Sequence, residues 1–495
     1  MPSVLQRLFA VRSVDSIVGD LEKGPPMNRV LTARSLTAIG LGSTIGTGIF
    51  ILTGTVAANH AGPALTLALL IAAIGSGLAA ICYAEFAAMI PVSGSAYTYS
   101  YATLGEAVAW IIGWNLSLEY MMSASAVAVG WSEYMVNLLG EWGIEFPAAL
   151  INAPFGKTDG GTLGLTGAIV NLPAVLIILA LGWVCYVGVR ESSTANTIMV
   201  IVKVAIIIVF VLAGLAFVDT SNWVPFIPEN TGKFGEFGWT GVLQGAGIIF
   251  FSYIGFDAAS TTAREARNPQ RDVPLGILGA LVISAVLYIA MAAVMTGMVP
   301  YPQLDAPAPV AVALDAHREL AWLGTLVKIG AIVGMTSVIL MSLLGQPRIL
   351  LAMAGDGLLP KVVSRIHPRH RTPHVATIWT TLLAALIAGL LPLDVLGELI
   401  SIGILLAFTV VCIGVLVLRY SRPDLHRPFR VPAAPITSVR GAQVCGGMTN
   451  IQPHDTRWRM GIRTLLGFSI YALYGYRHSR LRTEADDSRT PSPAP

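Results

Sequence analysis

Four glycines stand within nine residues in Gly40-Leu41-Gly42-Ser43-Thr44-Ile45-Gly46-Thr47-Gly48, inside the first long apolar run of the chain. A glycine in a helix interior costs about 1 kcal/mol relative to alanine. In lipid an amide released from its helix must find another partner, so broken helix is tolerated only where it lines a cavity. The stretch therefore predicts an interrupted helix. The C-terminal end of the first half offers carbonyls to a cation or an ammonium, and the start of the second offers free amides to a carboxylate. A bland alternative is a packing surface of small residues, Gly42 to Gly46, against a neighbouring helix. A nucleotide-binding loop is disfavoured, since no strand precedes the glycines and the G-x-G-x-x-G spacing is not met.

A second run repeats the pattern. Gly241, Gly245 and Gly247 lead into Phe250-Phe251-Ser252-Tyr253-Ile254-Gly255-Phe256-Asp257. Between the two stands Lys203, alone in Val200-Ile201-Val202-Lys203-Val204-Ala205-Ile206. A charge at that depth is expensive and reads as functional, because a buried amine can take up and release a proton. The competing reading is a lysine snorkelling to the membrane surface. Glu119 and Asp257 are further carboxylates in apolar runs without a partner at helical spacing; they are expected to orient the broken helices, join a proton path, or make structural hydrogen bonds. Glu85 and Glu133 read as interfacial, and Lys328 as a snorkelling residue at an outer helix end. Arg264, Arg267, Arg271 and Asp272 form a charged turn suited to a gate or to a solvated loop.

These residues need a membrane scaffold. The chain has 495 residues, 54% hydrophobic and 12% charged, with mean hydropathy +0.69, whereas soluble domains carry about 25% charged residues. Ten apolar segments fit 35–58, 65–90, 107–139, 168–189, 196–218, 240–260, 275–299, 323–353, 375–391 and 396–418, several of them reaching the roughly 20 residues that cross a bilayer. The fold class is an all-α polytopic membrane protein. A formal net charge of +3 is too small to argue for nucleic acid. Cys82, Cys185, Cys412 and Cys445 have neither metal nor disulfide-framework spacing, and the first 30 residues lack the apolar core of a cleaved signal. No metal site, cofactor, paired catalytic carboxylates or nucleophile with a base is visible, so an enzyme is not expected. Basic residues crowd 1–34, Arg190, the turn after segment 6, the loop with Lys361, Arg365, Arg369 and Arg371, and Arg419 to Arg430. Only Lys157, Lys233 and Arg318 fall in segments assigned outside. Basic loops mark the cytoplasm, which puts the N-terminus inside.

Segments 1 and 6 are both interrupted and enter the membrane from opposite sides. Paired interruptions in two inverted halves point to a transport site at their interface. The residues Ile45-Gly46-Thr47-Gly48-Ile49-Phe50-Ile51-Leu52-Thr53-Gly54, Tyr83-Ala84-Glu85 with Pro91-Val92-Ser93-Gly94-Ser95-Ala96-Tyr97, and Gly255-Phe256-Asp257 with Glu265-Ala266-Arg267-Asn268-Pro269-Gln270-Arg271-Asp272-Val273-Pro274 resemble the amino acid–polyamine–organocation superfamily. Within it the chain is most similar to bacterial members of the cationic amino acid transporter family, over about residues 25–435. The resemblance implies a leucine-transporter-type inverted five-plus-five repeat, with units at 35–218 and 239–418 and usually two further helices.

It also implies roles. Thr44, Ile45, Gly46, Thr47 and Gly48 match the break whose amides and a hydroxyl hold the substrate carboxylate. Phe251, Ser252, Tyr253 and Ile254 match the unwound part of segment 6, where carbonyls receive the ammonium and side chains wall the pocket. Lys203 matches a lysine of proton-coupled relatives, whose amine sits where sodium-coupled relatives hold an ion and touches segments 1 and 8; Thr336 and Ser337 are candidates to face it. The expected activity is proton-coupled uptake of an L-amino acid across the cell membrane by alternating access, segments 1, 2, 6 and 7 rocking against the rest. The partners are the amino acid, protons and membrane lipid. An exchanger or sodium-independent facilitator remains open, as does a sensor that binds an amino acid without moving it. The family name suggests cationic substrates, yet the sequence places no acidic residue in the pocket, and Thr47, Phe251 and Ile254 suit a small neutral one. Oligomeric state is not legible.

The pattern fails after Pro435. Residues 436–457 are polar, charged and interrupted by Pro453, so segment 11 reads as locally lost, as a compensated frameshift would leave it. A last helix resumes over Trp458 to Tyr476 within a C-terminal region at 419–480, and 481–495 reads as a disordered tail.

Overall fold

The computed structural model describes residues 8–23, 29–92, 94–157, 163–187, 192–306, 308–370, 372–451 and 454–482. Arg7, Ser93, Arg190, Arg371 and most of the expected tail lie outside them. In chain order the helices are α1 (Val14–Lys23), α2 (Ala33–Thr44), α3 (Leu65–Met89), α4 (Ser95–Thr103), α5 (Glu106–Glu141), α6 (Leu172–Val187), α7 (Ser192–Gly214) and α8 (Gly238–Ile249). Then follow α9 (Pro269–Met298), α10 (Pro309–Asp315), α11 (Ala321–Gly355), α12 (His374–Leu390), α13 (Leu393–Ser421), α14 (Ala434–Ile451) and α15 (His454–Ile470). A hairpin of β1 (Phe155–Lys157) and β2 (Leu163–Leu165) decorates the loop after α5, with Gly156 opposite Gly164.

Six described helical stretches, between Gly48–Met89 and Val395–Ser421, are long and apolar enough to cross a membrane, and the apolar α6 and α12 are shorter. Leu176, Trp183, Ile201 and Leu212 stand more than half exposed on α6 and α7. Such apolar faces suit hydrocarbon rather than water. The protein is a multi-pass membrane protein. Inside the bundle α11 packs along α5, α9 lies against α3 and α2, and α7 touches α2 and α11.

Three local expectations change. Ser95–Thr103, read as a polar connection, is a helix with every residue buried; its Tyr97, Tyr99 and Tyr101 fill the interior, and burial outweighs a weak apolar pattern. Pro269 occupies the first turn of α9, a position where its missing amide costs nothing, so Arg271 and Asp272 are helical. The segment read as lost forms α14, packed on α13 and α3 through buried Ser438, Cys445 and Met448. Its composition keeps it out of the stretches apolar enough to cross.

The chain before α2 is tied to the chain after α8. Leu31 and Ala266 form a parallel β-bridge, with Leu31 N donating to Glu265 O at 2.9 Å and Arg267 N donating to Leu31 O at 2.8 Å.

Candidate functional site

The first break forms where the glycine spacing predicts it. α2 stops at Thr44, Ile45 turns to extended backbone (φ −79°, ψ 101°), and helical turns resume over Gly48–Leu52 and Thr53–Val56. The second follows α8: a tight turn over Phe250–Tyr253 gives way to extended Ile254 (φ −67°, ψ 139°) and to Gly255 at φ +118°.

The two breaks cross at van der Waals contact. A Cβ on Gly48 would lie 2.6 Å from Ser252 Cα, and one on Gly255 would lie 2.6 Å from the carbonyl carbon of Ser43. Only glycine fits at either place, and Gly255 also needs its left-handed φ.

The carbonyls of Gly42, Thr44 and Ile45 at the end of α2 are engaged. Lys203 Nζ donates to Gly42 O at 2.8 Å, to Ile45 O at 2.9 Å and to Ser337 Oγ at 2.9 Å. These are three acceptors for the three donors of an ammonium. Ser337 Oγ itself donates to Gly334 O at 2.8 Å. Tyr288 donates its hydroxyl to Thr44 O at 3.0 Å. Lys203 is fully buried, so it does not snorkel. Of its two candidate neighbours on α11, Ser337 faces it, while Thr336 accepts from Trp131 Nε1 at 3.0 Å.

A small cavity of about 10 Å³ lies at the crossing. Thr44, Gly46, Thr47, Gly48, Phe251 and Ile254 line it, as do Ser43 and, from α5, Ser123 and Val127. Ile45, Ser252 and Tyr253 do not line it. Ile45 gives its carbonyl to Lys203, Ser252 packs on Gly48, and Tyr253 turns away to donate to Leu69 O at 3.1 Å. The Thr44 hydroxyl is spent on Gly40 O at 2.8 Å. Thr47 Oγ1 and Ser252 Oγ are buried with no hydrogen-bond partner. A buried polar atom left unpaired costs about 1–3 kcal/mol. Such atoms, beside the first amides of a new helical turn, are what a ligand would satisfy.

Beside it lies a second small cavity, of about 20 Å³, sharing Ser43, Ser123 and Ile254 with the first and lined also by Glu119, Tyr120 and Asp257. Tyr120 donates to Asp257 Oδ2 at 3.2 Å. Glu119 is 2% exposed, and its Oε2 has no hydrogen-bond partner. Sequence alone placed no acid here; the fold brings two within one cavity's breadth of the crossing. Ser123 stands four residues after Glu119 on α5, a spacing that would have named it once Glu119 was suspected. Tyr120 and Ala258 continue into a larger hollow of about 220 Å³ that ends at Glu265 and Arg348, whose side chains approach to 3.9 Å. Of the charged turn, Arg264 and Glu265 line the outermost hollow, with Arg12, Arg348, Asp356 and Arg480.

Two charges read as peripheral are buried. Glu85 accepts from Arg419 Nη2 at 2.6 Å and from the Val431 amide at 2.7 Å, with Arg427 Nε at 3.5 Å. Its partners lie hundreds of residues away, beyond any helical spacing. Lys328 is 2% exposed and pairs with Glu141 at the end of α5.

Comparison with known proteins gives a consistent family. The family model described as "Amino acid permease" matches residues 31–445. The "Methylthioribose transporter" of Bacillus subtilis (strain 168) is 42% identical over 477 residues, covering 96% of this chain and 100% of the relative. The "Branched-chain amino acid permease BcaP" of the same organism is 41% identical over 475 residues, 96% of this chain and 99% of the relative. The "Cationic amino acid transporter 2, vacuolar" of Arabidopsis thaliana is 42% identical over 421 residues, 85% of this chain and 64% of the relative.

Proposed function

The chain belongs to the amino acid permease family, whose members are transporters and not enzymes, and on that premise we propose that it carries an L-amino acid into the cell across the plasma membrane, coupled to protons. The observation that carries this reading is the crossing of two broken helices around a cavity with the unpartnered Thr47 hydroxyl. The substrate carboxylate takes the amides at Gly46, Thr47 and Gly48 together with Thr47 Oγ1, since the start of a helical turn favours an anion. The ammonium goes to the carbonyls of the Phe251–Ile254 stretch. The side chain points past Phe251 and Ile254 toward Ser123 and Val127.

In this reading residues 35–218 and 239–418 are the two halves of a leucine-transporter-type inverted repeat, and the N-terminus is cytoplasmic. The hollows leading from the crossing to Arg348 are then the route to the cytoplasm, with Arg264 and Glu265 at its mouth. Lys203 couples the proton. Charged, it holds Gly42 O, Ile45 O and Ser337 Oγ together; neutral, it lacks a donor for one of the three and releases the end of α2. Glu119 and Asp257 support the broken helices, and lipid covers the apolar faces of α6 and α7.

Counterflow into proteoliposomes with a panel of labelled amino acids tests the reading. One or more labels accumulate if it holds. Folded protein that binds an amino acid yet accumulates none would make it a sensor instead.

A further inference from the structure

A buried cation stands near the cavity, in the region where the sequence pattern fails. Arg463 on α15 is 9% exposed. Its Nε donates to Asn115 Oδ1 at 3.1 Å, and its Nη1 reaches Leu399 O at 3.4 Å and Met122 Sδ at 3.6 Å. Asn115, Glu119 and Met122 are spaced four and three residues apart on α5, so they share one face of the helix. A guanidinium touching the outer two lies at the level of the middle one. Glu119 and Arg463 make no direct hydrogen bond, and each keeps one buried polar atom unpartnered, Glu119 Oε2 and Arg463 Nη2. The helix carrying the arginine is firmly docked. Trp110 Nε1 donates to Gly467 O at 2.8 Å, and Trp114 Nε1 to Arg463 O at 3.0 Å.

A buried arginine is costly unless a charge or hydrogen-bond acceptors compensate it, while a carboxylate facing a cavity attracts a cationic ligand. Here the carboxylate lines the cavity while the guanidinium approaches along the same face of α5. We propose that Arg463 is the internal counter-cation of Glu119 and sets the substrate class, holding the cavity for amino acids with neutral side chains and rejecting those with cationic ones. This rests on the transport reading above. Asp257, the other carboxylate of the cavity, accepts from Tyr120; Glu119 is the one that Arg463 flanks.

The test is counterflow of labelled leucine and labelled lysine by the full chain in proteoliposomes. The wild type prefers leucine. Arg463→Met lowers the leucine-to-lysine ratio by at least about tenfold, the scale set by unpairing a buried charge, and Glu119→Gln in the same background restores it. A wild type that prefers lysine, an unchanged ratio in Arg463→Met, or a shift that persists in the double variant each overturns the proposal. Where Arg463→Met is not monodisperse, Arg463→Gln, which retains a donor for Asn115, is read in the same way. Unlabelled lysine competing with leucine in the wild type gives a second measurement; equal competition overturns the proposal. Absence of all amino acid counterflow in the wild type overturns the transport reading itself, a different result from an unchanged ratio.

Discussion

Lys203 Nζ lies 2.9 Å from the carbonyl oxygen of Ile45, the first residue to leave the helix of the first break. The same amine reaches Gly42 O, one turn earlier, and Ser337 on α11. One side chain therefore holds the end of α2 in place and ties it to α11.

Lys203→Ala removes that tie. The carbonyl of Ile45 loses its donor, at about 1–3 kcal/mol, while Gly42 O keeps the Ser337 hydroxyl, and uptake driven by a pH gradient collapses. Counterflow, which needs no net proton movement, persists. Uptake against external pH in proteoliposomes decides; a Lys203→Ala protein with the wild-type profile would end the coupling role.

Thr47→Val replaces an unpartnered hydroxyl by a methyl of similar size. A purely structural threonine would lose stability. Here the melting temperature holds or rises, because a buried unsatisfied atom disappears. Substrate affinity drops by roughly tenfold, the loss of one hydrogen bond to a charged group at about 1.5–3 kcal/mol. Counterflow KM and thermal unfolding in detergent, measured together, must move in these opposite senses.

Gly48→Ala drives a Cβ to 2.6 Å from Ser252 Cα, which is backbone and cannot rotate aside. The two breaks must then separate, at a cost of about 1–3 kcal/mol, and counterflow fails. Gly140→Ala is the control, since nothing lies within 4 Å of its added Cβ. Equal melting temperatures and equal transport for the two variants would refute the contact.

Glu85→Ala leaves Arg427, whose side chain is 7% exposed, without its carboxylate. Breaking a buried pair in this way costs about 3–5 kcal/mol. The expected phenotype is low yield and a lowered melting temperature with an unchanged substrate profile. A change of substrate preference at wild-type stability would place Glu85 in the transport site instead.

What the sequence made legible is local. Clustered glycines in an apolar run declare a break, and one lysine in such a run declares a buried partner, because both violate strong rules of the membrane interior. The chain cannot declare which way a side chain turns once two segments meet. Ser252 and Tyr253 sit in the right stretch yet face Gly48 and Leu69, while Ser123 and Val127, on a different helix, line the cavity. Glu85 read as interfacial because Arg419 and Val431 are far away in sequence. α4 and α14 were obscured for the same reason, their helical state being fixed by burial against distant helices rather than by their own apolar pattern.

The bridge between Leu31 and Ala266 makes the N-terminal strand a pointer mechanically joined to the exit of the second broken helix. Whatever displaces the chain after Asp257 displaces Leu31 with it. A fluorophore or spin label on the exposed Arg29 would thus read out motion deep in the bundle from outside it, and a rigid fusion partner grafted onto that strand would act as a brake.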